Sequence, residues 1–242
     1  MRPTSLPGDA AVRRSDFLLD TCAGLALLAL CGVAQASSLG GSATLTTDYV
    51  WRGTSQTQGD PAVQAGASIA SDAGLYASVW GSNVEFPGTG ANTEFDFTVG
   101  WSGAIADDWA VDVNVLHYRY PSTDVDLDWT ELNGKLTYAD RYWLAVGWSP
   151  EALGADGDGL YSQAGVRWPV GEAVALELAA GHYALGDAYD DSYWHGQASA
   201  TWTFKAPFQL RVTAHATDSS AERLFGDSVA GNRIEAALQA PF

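Results

Sequence analysis

Apolar and polar residues alternate along most of this chain with a period of two. Phe95, Phe97, Val99 and Trp101 are interleaved with Asp96, Thr98, Gly100 and Ser102, and Val174, Leu176, Leu178 and Ala180 with Ala175, Glu177, Ala179 and Gly181. Phe208, Leu210, Val212 and Ala214 alternate with Gln209, Arg211, Thr213 and His215, and the chain ends with Ile234, Ala236, Leu238, Ala240 and Phe242 against Arg233, Glu235, Ala237 and Gln239. Successive side chains of a strand point to opposite faces, so each segment reads as a strand with one apolar face and one polar or small face. About twelve such segments of roughly ten residues are predicted. They fall near 41–51, 61–70, 75–84, 93–102, 109–120, 128–138, 141–149, 159–168, 172–183, 192–204, 208–217 and 231–242.

The links alternate in length. Short ones contain Ser71-Asp72-Ala73-Gly74, Ala106-Asp107-Asp108, Ala139-Asp140, Pro169-Val170-Gly171 and Lys205-Ala206-Pro207. Long ones contain 53–60, 86–92, 121–127, 150–158, 184–191 and 218–230. Short turns at one end and long loops at the other predict an all-β fold, a transmembrane antiparallel up-and-down barrel of about twelve strands. An even count puts both termini on the short-turn, periplasmic side. Aromatics gather near strand ends, at Tyr49, Trp51, Trp101, Trp109, Trp129, Tyr138, Tyr142, Trp148, Trp168, Trp194, Trp202, Phe204 and Phe208. Rings with a polar edge suit lipid headgroups, so these predict the two girdles of an outer-membrane barrel. A soluble β-sandwich or lipocalin-like barrel also alternates, but a soluble fold turns its apolar face inward and needs far fewer surface aromatics.

The first three dozen residues differ in kind. Arg2, Arg13 and Arg14 precede an apolar run from Thr21 to Val33, and Ala34-Gln35-Ala36 has the small-x-small pattern of a cleavage site. Residues 1–36 therefore read as a cleaved signal peptide and 37–242 as the barrel. The run is too short for a spanning helix. Both cysteines, Cys22 and Cys31, lie in the signal, which leaves no thiol for a disulfide, a thiolate metal site or a nucleophile. The three arginines of the signal cancel Asp9, Asp16 and Asp20, so the barrel carries the whole formal charge of −17. That argues against a nucleic-acid partner. Ten Trp, ten Tyr and eight Phe argue against disorder.

Leu45-Thr46-Thr47-Asp48-Tyr49-Val50-Trp51-Arg52-Gly53-Thr54-Ser55-Gln56-Thr57-Gln58-Gly59-Asp60-Pro61-Ala62-Val63-Gln64 resembles the amino-terminal signature of the TorF family, whose members are assigned as porins. The signature positions are Asp48, Tyr49, Arg52, Gly53, Ser55, Gln56, Gly59, Pro61 and Gln64, with Thr47 where serine is usual; Trp80, Ser82 and Asn83 continue the likeness. The resemblance implies an outer-membrane porin without catalytic residues. Physically, Arg52-Gly53 can turn the chain where the first strand leaves the membrane, and Pro61 suits the first residue of a strand because it has no ladder donor to lose. Two readings follow: Arg52 or Asp48 folds toward the pore mouth and selects solute, or a packed loop closes one barrel seam. Loop geometry alone explains Gly53, Gly59 and Pro61 without a ligand.

The predicted inward set carries Asp96, Asp112 and Glu131 on strands four to six and Arg211 and Arg233 on strands eleven and twelve, with Lys135, Arg167, Glu177 and Glu235 blurring the segregation. An acidic wall facing a basic wall would set a transverse field across a lumen of roughly 10–14 Å. The alternative is internal pairing that plugs the lumen. Asp124, Asp126 and Asp128, with Asp156 and Asp158 around Gly157, offer carboxylates to Ca²⁺ or Mg²⁺ but lack a calcium-hand pattern, and read better as solvated loops. Ser162 with His182 is the best enzyme pairing available, without any nucleophile motif, while His195 and His215 read as wall residues. Phe242, outward on the last strand, resembles the signal read by the barrel-assembly machinery. The expected protein is a porin for small polar solutes, with no catalytic residues, metal or cofactor, set among outer-membrane lipid and lipopolysaccharide. A non-conducting structural or adhesive barrel and a lipid-modifying enzyme are the alternatives.

Overall fold

Twelve long strands close into an antiparallel ring in the computed structural model, which describes residues 37–242; the signal-peptide reading of 1–36 lies outside them. The long strands are β1 (Ser37–Thr46), β4 (Ala62–Ser71), β5 (Leu75–Asn83), β6 (Thr93–Ala106), β7 (Trp109–Arg119), β8 (Trp129–Tyr138), β9 (Tyr142–Ser149), β10 (Gly159–Val170), β11 (Val174–Leu185), β12 (Asp191–Lys205), β13 (Phe208–Thr217) and β14 (Arg233–Pro241). Each pairs with its neighbours in sequence, and the seam closes where β1 meets β14, with Ala43 opposite Ala240 and Leu45 opposite Leu238. Closure leaves no unpaired edge, which a bilayer demands because lipid offers no hydrogen bonds.

The burial pattern is inverted relative to a soluble protein. Phe97, Val99, Val115, Leu144, Leu178 and Val212 are exposed, whereas Glu94, Glu131, Ser149, His195, Thr213 and Glu235 are buried. One face of every strand is thus apolar and turned outward, and the other lines a polar interior, which excludes the sandwich alternative. Nine of the expected girdle aromatics, including Trp109, Tyr138, Tyr142, Trp168, Trp194, Trp202 and Phe208, are exposed on the outer surface. Leu178 lies midway along β11 with Val166 and Ala198 beside it on the neighbouring strands. Leu178→Arg is therefore expected to cost about 2–4 kcal/mol of folding stability in lipid, as read from urea unfolding in vesicles. A loss below about 0.5 kcal/mol, ordinary for a water-facing site, would mean that this face does not meet hydrocarbon.

The short turns end in left-handed residues, with Gly74, Asp108, Ala139 and Asp140 at positive φ. The long links carry structure of their own: α1 (Gly186–Tyr189) and α2 (Ser219–Phe225). Asp218 caps α2 by accepting from the backbone N–H groups of Ser220 and Ala221 at 3.1 and 3.2 Å.

The largest departure from the sequence reading lies at the first strand. It runs over Ser37–Thr46, not 41–51, and the next residues leave the wall and fold into the interior as a hairpin of β2 (Val50–Trp51) and β3 (Thr54–Ser55). Tyr49, Trp51 and Trp129, expected in the girdles, instead pack inside the barrel.

Candidate functional site: the inward-folded first loop

Two backbone features shape the hairpin. Val50 pairs with Ser55 and Trp51 with Thr54, leaving Arg52 and Gly53 as a two-residue turn with φ of 48° and 86°. Both values are positive, as the tight turn favoured in hairpins requires. Gly53 is also held by space, because a Cβ there would lie 2.7 Å from the Cβ of His195 and 2.8 Å from Cγ2 of Thr217. The turn expected at Arg52-Gly53 therefore exists, but it sits against the inner wall and not where the strand leaves the membrane.

Asp48 anchors the base of the hairpin. Its carboxylate accepts from the Ser55 hydroxyl at 2.5 Å, the Thr57 hydroxyl at 3.1 Å and Arg233 Nη1 at 2.9 Å. Ser55 in turn accepts the N–H of Gly59 at 2.8 Å, and the backbone of Ser55 donates to the carbonyl of Val229 in the last long loop. Gln56 joins the same lattice, its N–H donating to the Tyr49 carbonyl and its carbonyl accepting from Glu85. Pro61 stands one residue before β4, its carbonyl taking an Asn83 amide hydrogen, and Gln64 opposes Ser82 on β5. The signature residues thus build one loop tied to several others.

The tip reaches almost across the barrel. Arg52 Nη2 donates to both carboxylate oxygens of Glu131, at 2.8 and 2.7 Å. Glu131 belongs to β8, five strands round the ring from β1. The guanidinium also lies over the rings of Tyr161 (3.8 Å), Trp51 (4.2 Å) and Tyr183 (4.7 Å), and Tyr193 donates its hydroxyl to the Arg52 carbonyl at 3.1 Å. Both charged side chains are buried, at 7% and 1% exposure. Burial alone would lower the pKa of Arg52, but the Glu131 carboxylate overrides it and holds the guanidinium above its ordinary value. A charged, aromatic layer therefore crosses the lumen. Above it, on the long-loop side, lies a cavity of about 370 Å³ walled by Trp51, Tyr118, Tyr120 and Trp129; below it lies a polar one of about 420 Å³ walled by Arg167, Glu177, Arg211 and Glu235.

The other charges expected along the pore occupy the interior face, but not as two opposed walls. Arg211 donates to Glu235 at 2.9 Å, His215 shares the same carboxylate at 3.1 Å, Arg233 is taken by Asp48, and Arg167 pairs with Glu177 at 2.9 Å. Asp112 accepts from Tyr76 and Asn114, and Lys135 lies over the Trp143 ring at 5.0 Å. The expected transverse field between Asp112 and Arg211 is thus corrected to local pairing, because carboxylates on neighbouring strands and in the first loop reach the arginines first. The basic side is largely neutralised, while the acidic side keeps Glu94 and Asp96 unpaired.

Glu94 was legible yet missed. It precedes Asp96 by two residues and so shares its inward face, but it stands at the very start of its strand. Tyr49 records its presence: burial, then the charges of Glu94 and Asp96, push the Tyr49 hydroxyl well above its usual range. Among the described residues no three potential metal ligands converge, and in the third long loop Asp128 accepts from the Tyr120 N–H at 2.7 Å. Ser162 and His182 are cross-strand partners on the outer face, but His182 packs on Trp194 and no hydrogen bond joins it to Ser162. Phe242 exchanges backbone hydrogen bonds with Gly41 across the seam, its ring exposed.

Residues 32–238 match the bacterial family Gcw_chp, described as a bacterial protein of unknown function. The chain belongs to that family. No curated protein matches the sequence. Among solved structures this Gcw_chp chain is similar to the KdgM porin in complex with disordered oligogalacturonate, at TM-score 0.55 and 6% identity over 86% of this chain and 99% of that one. It is likewise similar to the NanC porin (TM-score 0.55, 9% identity, 84% and 98% covered) and to an outer-membrane channel from Pseudomonas putida F1 (TM-score 0.50, 10% identity, 86% and 95% covered). At such identities the likeness is one of fold: the barrel is that of outer-membrane porins.

Proposed function

We propose that the protein is an outer-membrane porin for small polar solutes, narrowed by its own first loop. The observation that carries this reading is the origin of the constriction. The hairpin tip, Trp51 and Arg52, occupies the layer between the two cavities with Tyr161, Tyr183 and Tyr193 of the wall packed round it, so one part of the obstruction is separable from the strand wall. Loops are the elements that move in such scaffolds. The resemblance of residues 45–83 to the TorF family supports the same reading. The inverted burial supports a place among outer-membrane lipid and lipopolysaccharide; short turns in the periplasm and an assembly role for Phe242 are further parts of the proposal. A porin needs no catalytic group, and Ser162 with His182 lacks the hydrogen bond an activated nucleophile requires.

Single-channel recording on refolded protein in planar bilayers tests the proposal. Discrete ohmic openings are expected. Silent bilayers, with both the wild-type barrel and one whose hairpin has been removed, would leave a structural barrel as the function.

A further inference from the structure

Glu94 is 2% exposed, and one of its carboxylate oxygens has no hydrogen-bond partner among the described residues. It borders the cavity on the long-loop side of the hairpin. Asp96, on the same inward face, also has a buried oxygen without a partner, and no described cation pairs with either group. Arg52 is committed to Glu131. A buried carboxyl pair without a cation is relieved either by a proton or by a positive ligand, so a cation that displaces the proton gains here what a neutral ligand does not.

The rest of the cavity says which cation. Tyr118 stacks on Trp129 at 4.1 Å with planes 5° apart, Phe86 packs on Tyr120 at 5.5 Å, and Trp51 forms the floor. Aromatic faces attract cations that shed their water readily, above all alkylated ammonium groups. A hard divalent ion needs six or more oxygen ligands, and among the described residues no third Asp, Glu, His or Cys converges with Glu94 and Asp96. At about 370 Å³ the cavity is of small-ligand size. It lies inside the strand wall, so its occupant arrives from water and not from lipid.

We infer that this cleft is a binding site for a small alkylammonium cation, with Glu94 as its counter-ion and the aromatic walls as its cage. The inference names a solute class for the proposed pore and rests on that reading for its physiological role, whereas binding itself does not depend on conduction. Isothermal titration of folded, detergent-solubilised protein with choline, with its uncharged isostere in which carbon replaces the quaternary nitrogen, and with Mg²⁺ tests it. Saturable choline binding is expected, roughly 30-fold or more weaker for the uncharged isostere and for Glu94→Gln. No saturable choline binding, equal affinity for the isostere, undiminished binding by Glu94→Gln, or displacement of choline by equimolar Mg²⁺ would each overturn it. The wild-type comparison of choline with its isostere decides the matter even where Glu94→Gln does not fold. Silent bilayers with intact choline binding would refute the pore and spare the site; open channels without binding would do the reverse.

Discussion

Replacing Val50–Ser55 by two glycines, together with Glu131→Gln, is expected to raise single-channel conductance several-fold over the wild-type barrel. The hairpin contributes Trp51 and Arg52 to the layer between the two cavities, and both leave with it. What remains of the layer is Tyr161, Tyr183 and Tyr193 on the wall, so the deletion opens part of the roughly 10–14 Å that a bare ring of twelve strands would leave. Glu131→Gln belongs in the variant because the deletion would otherwise strand a buried carboxylate that now bonds Arg52 at 2.7 Å. The strands should tolerate the change, since no hairpin residue belongs to the closed ring. Heat-modifiable migration on a gel confirms folding, and conductance in planar bilayers gives the result. A folded variant with wild-type conductance would mean that the constriction lies in the wall.

The second expectation concerns what holds the hairpin down. Arg52→Met should destabilise the barrel by about 3–5 kcal/mol, because it leaves Glu131 buried without its charge partner. Adding Glu131→Gln should restore most of the loss, since a neutral amide no longer requires a cation. Denaturant unfolding of the two single variants and the double variant, arranged as a cycle, isolates the coupling. The hydroxyl of Tyr118, 3.4 Å from Glu131, offers only weak compensation in the single variant. A cost for Arg52→Met of less than about 1 kcal/mol, the worth of an exposed pair, would show that the guanidinium stays solvated and that the layer is loose.

The opposite treatment of two arginines shows where sequence reasoning stops. Arg52 follows Trp51 and Arg211 stands between Leu210 and Val212, so each reads as a polar position beside apolar ones. One crosses the lumen to Glu131 on a distant strand; the other takes Glu235 on the adjacent strand. Alternation specifies the face a side chain occupies and says nothing of which partner waits there.

By itself the sequence determined the barrel. Period-two patterning at strand length, turns of alternating length and an even count have one closed solution in lipid, and strand spans and outward faces such as Phe95, Phe97 and Val99 follow from local backbone geometry. It also contained the turn, in the Arg52-Gly53 pair. Only the tertiary structure decided the interior. Thr47 to Trp51 reads as a strand end, so whether it continues the wall or turns inward depends on Asp48 meeting Arg233 and on Arg52 meeting Glu131. These contacts join residues 185 and 79 positions apart in the chain. A transverse field gave way to local pairs for the same reason: charge is read from composition, but its cancellation falls off with distance, and distance exists only once the ring has closed.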